Sequence, residues 1–150
     1  MKLSQLMEGL DYLVLQGDAE TEVVDVAYDS RKVQPGFAFV CVVGTNRDSH
    51  DYAEDVAAAG ASVLVIQHKL DEIPAGVTVV QVENSRHALA IMSCNLFGNP
   101  AKKMTMIGVT GTKGKTTTAH MIQAALNAAG KKCGIIGTNG TAFGRERHAL

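Results

Sequence analysis

Short apolar runs and stretches with helical spacing follow one another along the first hundred residues. Apolar or alternating runs that end at polar or glycine residues predict strands, and they lie over 12–15, 23–28, 37–43, 62–66 and 77–82. Apolar residues spaced three and four apart predict helices, and these lie over 3–10, 51–59 and 85–97. The alternation of the two element types predicts a compact α/β unit.

A second unit is predicted to begin after Gly98-Asn99-Pro100, because glycine ends the preceding helix and proline cannot continue it. The pattern there predicts a strand over 103–109, a glycine-rich turn, a helix over 115–129 and a strand over 133–136. We therefore assign residues 1–100 to one domain and residues 101–150 to the beginning of another. A single strand–helix–strand segment cannot cover both faces of a parallel sheet, so the second domain is interpreted as truncated.

The turn in the second domain has the composition of a loop that binds nucleotide phosphates. Gly111 and Gly114 allow the backbone to bend and to turn its N–H groups inward, at the positive end of the following helix. Lys115 is placed to reach the β and γ phosphates of ATP, and the Thr116 hydroxyl to contact Mg²⁺. The match to GxxxxGK[ST] is incomplete, since Val109 stands at the first glycine position. A turn that binds nothing is the alternative, and Gly-Lys-Thr at the helix start disfavours it.

Three spaced motifs carry a resemblance to a known family. The sequence Gly-Thr-Lys-Gly-Lys-Thr-Thr at 111–117 resembles the ATP loop of the Mur ligases and of the folylpolyglutamate synthetases. The segments 28–36, 37–40 and 44–52 resemble the amino-terminal uridine-nucleotide domain of the Mur ligases, which folylpolyglutamate synthetases lack. The resemblance covers nearly the whole chain. It implies a small α/β domain that binds a uridine nucleotide, followed by the start of a P-loop ATPase domain with a parallel sheet.

The resemblance also implies which residues contact ligands. In the first domain, residues that line the uridine-nucleotide pocket or lie beside it are Tyr28, Ser30, Thr45, Asn46, Arg47 and His50. In the second, residues that contact ATP are Gly111, Thr112, Lys113, Gly114, Lys115, Thr116 and Thr117, with Thr116 also at the metal. The family usually has glycine where Ser49 stands, which leaves open whether a special backbone angle is needed there.

The implied reaction is an ATP-dependent amide ligation in peptidoglycan precursor synthesis. The D-glutamate carboxylate of UDP-MurNAc-L-Ala-D-Glu attacks the γ-phosphate of ATP, and the amine of meso-diaminopimelate or L-lysine then displaces phosphate. We assign no catalytic residue beyond the phosphate and metal contacts, and we expect the chain alone to be inactive. Two other functions remain open: a non-catalytic module that binds UDP-muramoyl peptides, and another Mur ligase or P-loop protein that binds nucleotides.

Without the family resemblance, the same residues allow simpler readings. Asp29, Ser30 and Arg31 follow an alternating run, so they fall at a strand end, where side chains can reach a ligand. By spacing alone, Ser30 also fits an ordinary turn hydroxyl and Arg31 a solvated charge. Taken alone, His50 also fits a histidine at a helix start or at the surface.

Composition excludes several classes of function. The net charge is −1, and no basic stripe or zinc-type spacing is present, so nucleic-acid binding is not expected. No apolar run reaches the ~20 residues of a membrane span, and the first residues lack the apolar core of a signal peptide, so a cytoplasmic protein is expected. We also expect a monomer. Three cysteines in apolar stretches, at 41, 94 and 133, indicate buried free thiols.

Overall fold

The computed structural model describes residues 1–44, 47–143 and 146–148. The chain divides into two compact units, Met1–Met104 and Thr105–Leu150. The first unit contains a five-stranded sheet, and the second contains one long helix and a three-stranded sheet.

The sheet of the first unit is mostly parallel. Its strands are β1 (Tyr12–Gln16), β2 (Val26–Ala27), β3 (Ala38–Val40), β4 (Val63–Ile66) and β5 (Thr78–Val82). They are ordered β1-β5-β4-β3-β2, and only β1 runs antiparallel to its neighbour. The predicted α/β class is confirmed.

Helices cover both faces of this sheet, which explains why β4 is apolar at every position. The helices are α1 (Leu3–Leu6), α2 (Ala53–Ala58) and α3 (Ser85–Leu96). Val63 and Val65 belong to the core cluster that includes residues of α1 and α3. Leu64 and Ile66 belong to the opposite cluster, which includes residues of α2. The sheet is therefore the central layer of the first unit, with a core cluster on each face.

Several elements are shorter than the hydrophobic pattern predicts. The strands predicted over 23–28 and 37–43 are reduced to β2 and β3, because a strand extends only as far as it has a hydrogen-bonding partner. The first helix ends at Leu6 instead of residue 10, and Gly9 adopts φ +86°, which an α-helix cannot contain. The helix predicted from residue 51 begins earlier, as a 3₁₀ helix over Ser49–Tyr52.

The strand predicted over 103–109 is not formed. Pro100–Lys103 is a 3₁₀ helix, and residues 105–110 have no regular structure. Met106 is 66% exposed and Ile107 is 54% exposed, so much of the apolar run that indicated a strand faces solvent. None of the described strands pairs with this segment, and an unpaired segment does not form a strand.

The rest of the second unit is a helix followed by an antiparallel sheet. The helix α4 (Lys115–Ala128) is 14 residues long, and Gly130 follows it at φ +75°. The predicted strand over 133–136 becomes β6 (Gly134–Gly137), which pairs antiparallel with β7 (Gly140–Phe143). The last strand, β8 (Glu146–His148), pairs with β7. Among the described helices, none has both the length and the apolarity needed to cross a membrane.

The three cysteines are all free thiols, as predicted, but only one of them is buried. Burial raises the pKa of the Cys41 thiol to about 12, so this side chain stays protonated. Cys94 and Cys133 are partly exposed, so the prediction of burial was wrong for these two. An apolar sequence context does not decide which face of an element a residue occupies.

Candidate functional site

The carboxyl ends of the parallel strands bring several polar segments to one edge of the first unit. Residues 28–30 follow β2 and residues 67–68 follow β4, while Gly44, Arg47 and Asp48 come after β3. Ligands of open parallel sheets bind at this edge, because the chain leaves each strand there and exposes side chains and backbone groups. Of the described residues that were predicted to contact the uridine nucleotide, Tyr28 and Ser30 lie after β2, Arg47 lies after β3, and His50 lies just beyond Asp48.

The turn after β2 is held by an ion pair around Ser30. The Asp29 carboxylate accepts hydrogen bonds from Arg31 Nε at 2.9 Å, Arg31 Nη2 at 2.8 Å and the Arg31 backbone N–H at 3.1 Å. These contacts with Arg31 lower the pKa of Asp29 to about 2. The Arg31 guanidinium is paired with the Asp29 carboxylate, although the Arg31 side chain is 85% exposed. Ser30 is half-buried and Tyr28 is exposed, so both are accessible to a ligand.

The loop after β3 has a closed base. Val43 and Asp48 form an isolated antiparallel bridge, and the Gly44 N–H donates to the Arg47 carbonyl at 2.8 Å. A Cβ at Gly44 would lie 2.7 Å from that oxygen, so a larger residue would force the base open. Arg47 is exposed. The other two predicted contacts in this loop, Thr45 and Asn46, lie outside the described residues.

Ser49 needs no special backbone angle. It lies in the 3₁₀ helix Ser49–Tyr52, and Asn99 is the only non-glycine residue with positive φ within 1–44, 47–143 and 146–148. The Ser49 backbone N–H and hydroxyl both donate to the Val42 carbonyl, at 3.2 and 3.0 Å. The hydroxyl therefore gives serine a structural use at this position.

His50 is a buried structural residue and not a surface histidine. It is 5% exposed, and its Nε2 accepts a hydrogen bond from the Gln67 backbone N–H at 3.0 Å. Since Nε2 is the acceptor, the proton is on Nδ1, which donates to the Asp48 carboxylate. Both ring nitrogens are thus occupied by protein groups. The ring connects the segment after β3 to the end of β4.

A second histidine, which the sequence analysis did not identify, completes this cluster. His68 Nε2 lies 2.8 Å from Asp48 Oδ2, and its Nδ1 lies 3.2 Å from the Lys69 carbonyl. The two imidazole rings stack at 3.8 Å. Burial tends to raise the pKa of Asp48, but hydrogen bonds from His50 and His68 outweigh it and lower that pKa to about 2. From the sequence, only the position of His68 could have indicated its role, because residues 67–68 directly follow the buried strand β4.

The three side chains do not form a metal site, although their ligand atoms lie within 4.8 Å of one another. A metal at His50 would have to replace the proton on Nδ1. Nε2 would then carry the proton, and it would face the Gln67 N–H, which also donates. The cluster is therefore organised by hydrogen bonds, with Asp48 as the shared acceptor.

The geometry of His68 makes the stability of the first unit depend on pH. Both ring nitrogens face acceptors, and the hydrogen bonds to Asp48 and to the Lys69 carbonyl, together with the charges of Asp48 and Asp51, raise the pKa of His68 above 6.5. A raised folded-state pKa contributes stability that is complete below the unfolded-state value and is lost as pH rises through the folded-state value. Because half of the side chain is exposed, solvent screens the effect.

We therefore expect His68→Gln to lower the melting temperature more at about pH 5.5 than at about pH 8.5. Melting curves of the wild type and the variant, recorded across this range, measure the difference. His87→Gln, at an exposed position on α3, is the control. A difference between wild type and His68→Gln that stays constant with pH would contradict the protonation argument.

The predicted phosphate loop of the second unit has the required backbone features. Gly111 adopts φ +147° and Gly114, which precedes α4, adopts φ +78°. The first turn of α4 contains no acidic residue and receives no hydrogen bond from a side chain of its capping residue. Lys115 Nζ donates to the Gly111 carbonyl at 2.7 Å, so the ammonium folds back over the loop. A positive charge and the amino end of a helix are therefore directed at the same place.

Two family comparisons cover most of the chain. Residues 22–95 match the Mur ligase family, catalytic domain, and residues 109–149 match the Mur ligase middle domain. The chain belongs to the Mur ligase family. The resemblance stated from the motifs is thereby confirmed.

Curated Mur ligases match this chain over nearly its whole length. The UDP-N-acetylmuramoyl-L-alanyl-D-glutamate--2,6-diaminopimelate ligase of Clostridium perfringens (strain 13 / Type A) is 43% identical over 147 residues, which are 98% of this chain and 30% of that protein. The protein of the same name from Geobacillus thermodenitrificans (strain NG80-2) is 42% identical over 144 residues, which are 96% and 29% of the two chains. This chain thus spans about 30% of the length of these relatives.

Solved Mur ligase structures share the fold. Crystal structure II of MurF from Acinetobacter baumannii has a TM-score of 0.63 and 27% identity, and covers 85% of this chain and 27% of that one. MurF ligase from Thermotoga maritima in complex with ADP has a TM-score of 0.55 and 29% identity, with coverages of 75% and 25%. A structure of UDP-N-acetylmuramoyl-L-alanyl-D-glutamate--2,6-diaminopimelate ligase has a TM-score of 0.72 at 20% identity, over 98% of this chain and 29% of that one. This last likeness concerns the fold alone.

In this Mur ligase chain the predicted site residues form two groups. Tyr28, Ser30, Arg47 and His50 lie at or beside the carboxyl edge of the sheet in the first unit. Residues 111–117 lie at the start of α4 in the second unit, and all of them are exposed. Each group lies within one compact unit.

Proposed function

We propose that this chain is the nucleotide-binding part of an ATP-dependent ligase of peptidoglycan precursor synthesis. The ligase adds a diamino acid to UDP-MurNAc-L-Ala-D-Glu, and the names of the relatives favour 2,6-diaminopimelate over L-lysine. The single observation that supports this most strongly is the loop at the start of α4, with Lys115 folded over Gly111. A separate polar edge on the first unit is consistent with a second, uridine-containing substrate.

In this proposal the first unit binds the uridine nucleotide. Tyr28 and Ser30 contact it from the turn after β2, and the loop after β3 contributes Thr45, Asn46 and Arg47. An exposed guanidinium such as that of Arg47 suits a diphosphate, since its donors form a planar fork. His50 has no ring nitrogen available to a ligand, so we assign it the role of holding that loop in place.

The second unit binds ATP. Residues 111–117 surround the phosphates, Lys115 contacts the β and γ phosphates, and Thr116 would hold Mg²⁺. The magnesium ion neutralises charge on the phosphate oxygens when it is bound. The substrate carboxylate attacks the γ-phosphate, the bond from the γ-phosphorus to the bridging oxygen breaks, and an acyl phosphate and ADP are formed. The amine of the diamino acid then displaces inorganic phosphate and loses a proton, which gives the amide. The residues of this chain contribute by placing the triphosphate and by stabilising the charge on its transferred group.

Substitution of Ser30 tests the uridine site. We expect Ser30→Ala to weaken binding of UDP-MurNAc-L-Ala-D-Glu by about tenfold, because a hydrogen bond to the ligand is lost while the backbone turn is kept by Asp29 and Arg31. Isothermal titration calorimetry of wild type and variant measures the change.

Ser93→Ala is the matched control for this experiment. Its hydroxyl donates to the Leu89 carbonyl within α3, so its loss should leave the affinity unchanged. If wild type and Ser30→Ala bound the uridine nucleotide equally well, Ser30 would not be a ligand contact. The alternative function, a different P-loop protein, would then be favoured over the proposed ligase. A wild type that binds neither the uridine nucleotide nor ATP would contradict the proposed function.

A further inference from the structure

The base of the loop after β3 is tied to two other elements. The bridge between Val43 and Asp48 closes the base. On one side, Asp48 accepts from His50, whose ring in turn accepts from the Gln67 N–H at the end of β4. The stem of the loop that ends at Asp48 is therefore fixed to the neighbouring strand.

Arg86 ties down the other stem of the loop from α3. It is the second residue of that helix, and its Nη2 donates to the Val43 carbonyl at 3.0 Å. The start of α3 is itself fixed, because the Ser85 N–H and hydroxyl donate to Gln67 Oε1 at 3.0 and 3.2 Å. Asn84 caps the helix by accepting from the His87 N–H at 3.0 Å. The backbone that carries the Arg86 side chain is therefore held in place by these hydrogen bonds.

These contacts form a closed circuit around the loop base. From Val43 it runs through Arg86 to Ser85 and Gln67, and from there through His50 and Asp48 back to Val43. Among the described residues that take part in this circuit through a side chain, Arg86 is the only exposed one; Val43, which contributes its backbone, is exposed as well. A role in core packing does not account for it, because its guanidinium lies at the surface and donates to a backbone carbonyl of the loop.

We infer that Arg86 is a positioning residue for the uridine-nucleotide substrate: it fixes the base of the loop that presents Arg47. This inference rests on the proposed function, since the ligand is the one proposed for the first unit. Arg86 acts through the Val43 carbonyl and does not need to touch the ligand. Its removal should therefore loosen the loop base first and weaken ligand binding as a consequence.

The first measurement needs no ligand. Amide hydrogen exchange, followed by NMR, reports on the Gly44 N–H, which is bonded to the Arg47 carbonyl across the loop base. Arg86→Ala should raise its exchange rate by about tenfold, whereas His87→Ala, at the next exposed position of α3, should not change it. Arg86→Lys retains a donor with positive charge and should give an intermediate rate.

The second measurement is the affinity for UDP-MurNAc-L-Ala-D-Glu by calorimetry. We expect Arg86→Ala to bind about tenfold more weakly, Arg86→Lys to recover part of the loss, and His87→Ala to match the wild type. Affinity for ATP should be the same in all four proteins. An unchanged melting temperature for Arg86→Ala separates a positioning effect from unfolding; should this variant unfold, Arg86→Lys carries the comparison.

The outcomes distinguish this inference from the function on which it rests. If the wild type does not bind the uridine nucleotide, the proposed function fails, and the exchange experiment still decides whether Arg86 fixes the loop base. If the wild type binds and Arg86→Ala binds equally well, the inference is overturned and the proposed function stands. Faster exchange at Gly44 with unchanged affinity also overturns it, because the loop base would then not matter for the ligand.

Discussion

Replacing Lys115 by alanine is expected to reduce ATP affinity by about thirtyfold or more while leaving the affinity for UDP-MurNAc-L-Ala-D-Glu unchanged. The ammonium folds over the loop backbone at Gly111, where it can exchange a neutral carbonyl for charged phosphate oxygens. Charge-assisted contacts of this kind are among the strongest that one side chain makes, and removing one costs about 2–5 kcal/mol. Isothermal titration calorimetry with ATP and magnesium measures the loss.

Lys131→Ala is the matched control for the Lys115 substitution. It removes one exposed positive charge from the same unit, beyond the end of α4, so a general electrostatic effect would appear in both variants. Because the uridine site is placed in the other unit, an unchanged affinity for the uridine nucleotide shows that the first unit is intact. Circular dichroism of the variant shows whether α4 is still folded. If Lys115→Ala bound ATP as tightly as the wild type, residues 111–117 would be a structural turn and not a phosphate-binding loop.

Replacing His50 by alanine is expected to destabilise the first unit by about 2–4 kcal/mol. The substitution removes a buried ring and leaves the Gln67 N–H and part of the Asp48 carboxylate without their partner. A cavity and an unsatisfied buried donor each destabilise a folded protein. Urea unfolding, followed by a signal from the first unit, measures the change in the free energy of unfolding.

His87→Ala is the control for the His50 experiment, because His87 is exposed on α3 and should contribute less than about 0.5 kcal/mol. His68→Ala should fall between the two variants, since this ring is half-exposed and screened by water. A His50 variant as stable as His87→Ala would mean that the hydrogen bonds of the ring contribute nothing to the fold.

The sequence predicted those elements whose pattern is local. The predicted helices over 85–97 and 115–129 differ from α3 and α4 by one residue at the carboxyl end, because polar capping residues and glycines mark such ends directly. The strand predicted over 103–109 failed because apolar residues alone do not form a strand. Pairing depends on another part of the chain, and no local pattern specifies that partner.

The candidate site was predicted unevenly for a related reason. Ser30 and Lys115 belong to contiguous motifs, so the sequence alone is enough to propose them as ligand contacts. The contacts of His68 with Asp48 and of Arg86 with Val43 span 20 and 43 positions of sequence, and no local pattern encodes such pairs. The buried state of His50 was equally hidden, because it depends on the Gln67 N–H at the end of another strand.

The short pairing of β2 has a consequence for the first unit as a binding protein. Only two residue pairs join β2 to β3, whereas four join β4 to β5. The margin that carries Tyr28 and Ser30 is therefore the part of the sheet that frays most readily, since few hydrogen bonds must break to release it. A nucleotide that contacts the ends of both β2 and β3 would hold this margin in place. Part of the binding free energy would then offset the entropy lost when the fluctuations of the margin are suppressed.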